Sequence, residues 1–243
     1  MNFLGIDTTG KLASVVVKTN DKIYDGSDIN NVTHSEKLLP LIHKTLQESN
    51  LKFEDIDMLM TTNGPGSFTG CRIGVATIKA LSHPNKLNIL AISSLELMAY
   101  ATYFNLEENK EKYICSMLDA RNNRVYYCVY KLYKQDSKTV IENVHEISNE
   151  DLFVALDDIS NFSSCIFCGD CIYKFEKDIL NYSKDKDLNY TCINNEVQPE
   201  AKYLAYYYDN VSQDILDKKI YNTFNLDVVY ARVSQAERMK NEQ

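Results

Sequence analysis

Four groups of residues in this chain have types and spacings that could do chemistry. Asp7, Thr8 and Thr9 follow the alternating run Phe3 to Ile6 and precede Gly10, so a carboxylate, two hydroxyls and turn amides gather at the end of a strand. Such a group can contact a metal-bound nucleotide; Asp and Thr also cap turns of this kind with no further role. Asp119 ends the run Tyr113 to Leu118 in the same way and could face Asp7 across a cleft, the two sharing a cation. The third group is the glycine-rich turn from Asn63 into a helix that reaches Leu81, with Gly64, Gly66 and Gly70 placed after the apolar run Met58 to Thr62. Strand, glycine loop and helix N-terminus present amides that can bind an anion, and Ser67 or Thr69 can cap the helix. The fourth is Cys165, Cys168 and Cys171, whose C-x2-C-x2-C spacing resembles part of a metal-ligand set.

Most of the specific motifs fail on these residues. Gly64-x-Gly66-x-x-x-Gly70 is one residue too long for a dinucleotide fingerprint, and no Gly-Lys-Ser/Thr follows for a P-loop. The surroundings of Ser67 are not G-x-S-x-G, so no hydrolase nucleophile elbow is read. His34 and His43 lie nine residues apart, which at about 100° per residue puts them on opposite sides of a helix. The cysteines lack a fourth ligand at a usual spacing, and Cys165 to Phe167 reads as a strand that points Cys165 and Cys168 to opposite faces. No catalytic residue and no metal site is assigned.

The elements that must position these groups follow from periodicity. Phe3 to Asp7, Ala13 to Lys18 and Ile23-Tyr24 form a three-strand meander. Thr33-His34-Ser35-Glu36 has the capping-box form, and Leu38, Leu41, Ile42 and Leu46 give the helix an apolar stripe, with Pro40 near its first turn. Ile89 to Ile92 is a strand, and Ser93-Ser94-Leu95-Glu96 a second capping box before a helix towards Tyr103. The polar connector Asn105 to Lys112 divides the chain into lobes 1–104 and 105–227, with 228–243 a C-terminal segment that can return to the first lobe. Beyond the connector the pattern restarts: strand to Asp119, turn, return strand Val125 to Tyr133, a helix Asn149 to Leu156 capped by Ser148, and a helix from Pro199 through Val211. The expected fold is α/β, a duplicated unit. From Gly70 only Arg72 and Lys79 are charged, so the helix to Leu81 is apolar nearly all round. That composition predicts burial on two sides, by its own sheet and a second body, or an ordinary place in one core.

The 243 residues carry 26 basic and 34 acidic side chains, a net charge of −8, which argues against autonomous nucleic-acid binding. Seven cysteines and no secretory signal at the N-terminus suggest reduced thiols. No apolar run approaches the roughly 20 residues that span a bilayer, so a cytoplasmic protein is expected.

Read in order, Ile6-Asp7-Thr8-Thr9, His34 to Pro40, Gly64 to Gly74 and Ser93 to Glu96 resemble the successive motifs of the TsaB (YeaZ) family. Asp119-Ala120-Arg121, Gly169-Asp170, Pro199-Glu200-Ala201, Tyr230-Ala231-Arg232 and Ser234 to Arg238 extend the resemblance, more loosely, to the C-terminus. It implies an actin/Hsp70-like ATPase fold of two RNase-H-like lobes. It also implies a non-catalytic scaffold that activates TsaD, the transferase which places threonylcarbamoyl on adenosine 37 of tRNA. TsaD carries an H-x-x-x-H metal motif; here Leu38 stands where the second histidine would be. The resemblance implies further a partner surface on the first two helices, carried onto His34, Leu38, Leu41, Ile42, Gly70, Arg72, Ile73, Gly74, Ala76, Thr77 and Ala80. That surface would meet TsaD, or a second copy of the chain, with the ATPase subunit TsaE joining, tRNA reached only through the complex and no membrane involved. No cofactor is required, though ATP or ADP can lodge near the interface, with Asp7, Thr8, Thr9 and Asp119 as nucleotide contacts. The competing expectation is an enzyme in its own right, an ATPase or peptidase built on Asp7, Thr8 and the Asp119 turn.

Overall fold

A computed structural model describes residues 1–28, 34–106, 110–193 and 199–230. The first half runs β1 (Phe3–Asp7), β2 (Ala13–Lys18), β3 (Ile23–Asp28), α1 (His34–Glu48), β4 (Met58–Thr62), α2 (Phe68–Asn85), β5 (Asn88–Ile92) and α3 (Ser94–Asn105). The second runs β6 (Lys112–Asp119), β7 (Arg124–Gln135), β8 (Lys138–Asn143), β9 (Ser148–Asp151), α4 (Leu152–Ile159), β10 (Ser164–Cys168), α5 (Ile172–Asp185), β11 (Asn189–Cys192) and α6 (Lys202–Asn210). A short α7 (Gln213–Asp217) and β12 (Ile220–Tyr221) follow.

The strands form two sheets of the same plan. The first has the order β12-β5-β4-β1-β2-β3, the second β11-β10-β6-β7-β8 with β9 also on β7. In each, an antiparallel hairpin supplies the central strand, Asp7 pairing with Ser14 across β1 and β2 and Asp119 with Val125 across β6 and β7. Two parallel strands then extend the sheet from that central strand. The duplication expected from the Asp-bearing turns is therefore a duplication of topology. β12 breaks the symmetry: by Ile220 the chain is back on the first sheet, antiparallel to β5, ahead of the boundary at residue 228.

Helices cover both faces of each sheet, which is why β1, β2 and β4 are nearly continuous apolar or small runs, buried throughout except at Lys18. α1 and α2 lie on the outer face of the first sheet, α1 over β2 and β3, α2 over β4, β1 and β5. Their core joins Leu38, Ile42 and Leu46 to Val75, Ile78, Leu4 and Val17. α4 and α5 cover the outer face of the second sheet. Between the sheets lie α3 and α6, in one core with Phe3 and Met60 from the first sheet and Tyr130 and Cys168 from the second.

Several local expectations are corrected. The helix enclosed on both sides within the chain is α3, whose residues Ser94 to Tyr103 are all buried; α2 is buried on the side that meets its own sheet and keeps the other face exposed, so it is not an ordinary core helix. Ser93 makes no side-chain cap hydrogen bond, and Glu96 does not turn back to it but accepts from Tyr207 and from Lys219 at 2.7 Å. Ser148 opens β9, and Asp151 caps α4 by accepting from the Phe153 amide at 3.0 Å. Ser67 does cap α2, accepting from the Gly70 amide at 3.2 Å. Thr33, the side chain of His34 and residues 231–243, including Ala231, Arg232 and Ser234 to Arg238, lie outside the described residues. Among the described residues no helix is long and apolar enough to cross a membrane.

Candidate functional site: the interlobe cleft and the α1–α2 face

The two topologically equivalent hairpin turns meet at a cleft of about 550 Å³ between the lobes. The first lobe contributes Thr9, Gly10 and Lys11 from the β1–β2 turn and Gly66 to Thr69 from the start of α2; the second contributes Leu118 to Arg121 and Asp170. Asp119 is exposed there, accepts from the Arg121 amide at 2.9 Å and pairs with Lys174 at 3.8 Å. The Asp119 amide in turn donates to Asp170 at 3.0 Å. Lys11, Arg121 and the start of α2 line the same cleft as these two carboxylates, so the wall offers groups of both signs.

Asp7 and Thr8, offered above as nucleotide contacts, are buried and do not line this cleft. Asp7 is fully buried and accepts from the Thr9 amide at 3.2 Å, the Thr9 hydroxyl at 3.0 Å and the Thr62 hydroxyl. Burial pushes its carboxyl from 3.8 up to about 6, and the donors from Thr62 and Thr9 offset only part of that cost. Thr8 is buried behind α2, its hydroxyl donating to the Gly70 carbonyl at 2.7 Å. Thr9 and Asp119 line the cleft. Asp7 therefore cannot share a cation with Asp119. Among the described residues no group of three or more His, Cys, Asp or Glu is arranged to hold a metal. Cys165 and Cys168 sit in different cores on opposite sides of their sheet, and burial pushes both thiols up.

The second surface is the outer face of α1 and α2. Four of the expected interface residues turn inward: Leu38 and Ile42 are core, and Gly70 and Gly74 face the first strand. A Cβ on Gly74 would stand 2.5 Å from the Thr8 hydroxyl, and one on Gly70 2.0 Å from the Thr8 carbonyl. These glycines bring α2 close to its own sheet, not to another body. Arg72, Ala76 and Ala80 are exposed, with Leu41, Ile73 and Thr77 half-buried beside them. Sequence reading missed Leu39 at 58 % exposed and Phe68 at 56 %; Leu39 stands one residue off the buried stripe of α1, an outward apolar position that periodicity alone marks.

The C-terminal segment flanks this face. The Val229 amide donates to the Asn63 carbonyl at 2.8 Å, Lys79 donates to the Leu226 carbonyl at 2.9 Å, and Leu226 is fully buried in the α1–α2 core. Arg72 stacks 3.9 Å over the Phe68 ring and donates to the Tyr230 hydroxyl at 2.8 Å. Phe68 also lines the cleft, so the cleft mouth and the helix face share a border.

Residues 28–219 match the family model described as TsaD: tRNA N6-adenosine threonylcarbamoyltransferase. Over 127 residues the chain is 31% identical to the tRNA threonylcarbamoyladenosine biosynthesis protein TsaB of Haemophilus influenzae, covering 52% of each chain. The chain thus spans about half the length of the curated relatives it matches. Among solved structures it is similar to an uncharacterized Pseudomonas aeruginosa protein with similarity to peptidase YeaZ, at TM-score 0.75 and 19% identity over 95% of this chain and 99% of that one. It is more distantly similar to the ROK hexokinase of Thermus thermophilus, at TM-score 0.51 and 9% identity over 86% and 100%. Both likenesses are of fold. With its matched segment running through both sheets, the chain belongs to the family of that model, TsaD: tRNA N6-adenosine threonylcarbamoyltransferase, and among the relatives its resemblance is to TsaB (YeaZ) proteins.

Proposed function

We propose that this chain serves tRNA threonylcarbamoyladenosine biosynthesis as a non-catalytic subunit that docks on and activates a TsaD-like transferase. The observation that carries this reading is the outward face of α1 and α2, where Leu39, Ile73, Ala76, Thr77 and Ala80 leave small and apolar side chains uncovered on two neighbouring helices. Small residues let a partner's helices approach closely, and apolar ones gain from being covered. The inward turn of Asp7 supports a non-catalytic role, because the carboxylate that would serve cleft chemistry is committed to Thr9 and Thr62. A second copy of the chain would use the same face when the transferase is missing. A TsaE-like ATPase would join the pair, and the net charge of −8 favours tRNA contact through the complex. ATP or ADP would occupy the cleft at Thr9, Asp119 and the start of α2, next to the docking face.

The test is Ala76→Arg, which changes an exposed side chain. Co-purification with the TsaD homologue of the same organism should be lost, and with it the stimulation of threonylcarbamoyl transfer, while unfolding free energy stays within about 0.5 kcal/mol of the parent. Retained association and stimulation, or a transferase fully active without this chain, would overturn the reading.

A further inference from the structure

After β12 the chain runs back along α2, from the C-terminal end of that helix to its N-terminal end. Thr223 and Ser82 share a hydrogen bond at 2.8 Å, Lys79 donates to the Leu226 carbonyl at 2.9 Å, and Arg72 donates to the Tyr230 hydroxyl at 2.8 Å. On a helix that turns about 100° per residue, Ser82, Lys79, Arg72 and Phe68 fall on one side, next to the outward stripe Ile73, Ala76, Thr77 and Ala80. Residues 222–230 therefore form a ridge along the edge of that stripe.

The hold on this segment is uneven. Asn222 closes a turn within it, its side-chain oxygen accepting from the Phe224 amide at 2.8 Å and the Asn225 amide at 3.0 Å. Leu226 is fully buried, in one core with Val75 and Ile78, while Thr223, Val228 and Val229 are half-buried and Phe224 is 82 % exposed. The far end is tied to the glycine-rich turn: the Asn63 side chain donates to the Asp227 carbonyl at 3.2 Å, and the Asn63 carbonyl accepts from the Val229 amide at 2.8 Å. Gly64 makes room for that tie, since with φ at +106° a Cβ there would stand 2.8 Å from the Val229 carbonyl oxygen. The first glycine of the turn thus serves the C-terminal segment. One buried leucine returns less free energy than ordering the whole segment costs, and the few hydrogen bonds leave a small balance, so the segment opens more readily than the sheets beneath it.

We propose that residues 222–230 are a latch on α2: while Leu226 and Val229 are seated, α2 is held in the pose that forms the docking face and the cleft mouth, and when they lift away both are lost together. Leu226 acts as a positioning residue, through Val75 and Ile78 on the inner side of the helix. At the cleft end the link is Arg72, which stacks 3.9 Å over the Phe68 ring of the cleft wall and holds Tyr230. The effect on docking rests on the function proposed above; the seating is a property of the free chain.

Hydrogen–deuterium exchange of the full chain reads the latch directly. Leu226→Asp puts a charge in the buried seat, and Val229→Pro, away from the core, removes the amide bond to Asn63. Each should raise exchange at least about tenfold over residues 64–85 as well as 222–230, and leave β6 and β7 as protected as in the parent. Leu226→Met, close in volume, should keep the parent's protection. Affinity for the TsaD homologue of the same organism should fall at least about tenfold in Leu226→Asp, because only the seated fraction can dock, and stay at the parent's level in Leu226→Met. Exchange that rises over 222–230 alone, or equally in β6 and β7, would overturn the latch, as would unchanged affinity in a variant whose α2 has loosened. A parent chain that does not associate with the transferase would remove the proposed function, and the exchange result would still decide the latch.

Discussion

Asp7 shows how one residue type can be placed for two opposite ends. A carboxylate at the end of a first strand, followed by two threonines, is legible in the sequence as a possible contact for a nucleotide. What the sequence does not contain is the direction of its side chain, which is set by Thr62 on β4, 55 residues away, and by the closeness of α2. With its carboxyl raised from 3.8 to about 6, the folded state binds the proton more tightly than the unfolded chain does. Asp7 therefore supports folding below about pH 4, and that support is lost as pH rises through 6, a difference of about 3 kcal/mol. Asp7→Asn removes the titration. Relative to the parent, the variant should gain about 2–3 kcal/mol between pH 4 and pH 7, read from urea unfolding at the two pH values; an unchanged difference would show that Asp7 is not the titrating group.

At the scale of elements, the seating of α2 on β1 is the contact that organises the first lobe. Glycines at positions 70 and 74 were legible as sites of close approach, but the partner in that approach is Thr8 of the same chain. A helix interior usually prefers alanine to glycine by about 1 kcal/mol, so the glycines are kept against local propensity by tertiary crowding. Gly74→Ala should cost about 1–3 kcal/mol by overpacking against the Thr8 hydroxyl, despite that gain in propensity. Gly70→Ala should cost more, because the obstacle is backbone. Adding Thr8→Ala should relieve Gly74→Ala but not Gly70→Ala, giving a coupling of about 1 kcal/mol in a double-mutant cycle. Strictly additive costs would remove Thr8 from the account.

At the scale of the molecule, the lobes are joined through α3 and α6, and Glu96 is the polar tie within that apolar layer. It reaches Tyr207 on α6 and Lys219 on the segment that carries the chain back to the first sheet. Lys219→Met would leave a nearly buried carboxylate with one hydroxyl donor, and should cost about 1–3 kcal/mol. Lys44→Met, which breaks the exposed Lys44 to Glu48 pair at 3.8 Å, should change stability little. Chemical unfolding of both variants checks the contrast; equal effects would mean that burial of the Glu96 pair carries no weight.

Sequence alone determined the repeated strand, Asp-turn, strand unit, the α/β class, a helix cap at Ser67 or Thr69 and the opposite-facing cysteines, because each follows from local periodicity or from the chemistry of a few neighbouring residues. It also carried the order of motifs that marks the family. Tertiary structure alone decided which Asp faces the cleft, that α3 and not α2 is the helix enclosed on both sides, that Gly70 and Gly74 face inward, and that Glu96 serves the lobe junction instead of a cap. Each of these depends on residues tens or hundreds of positions apart meeting at one point, and no periodicity along a chain records which of two equally apolar surfaces will be covered from within.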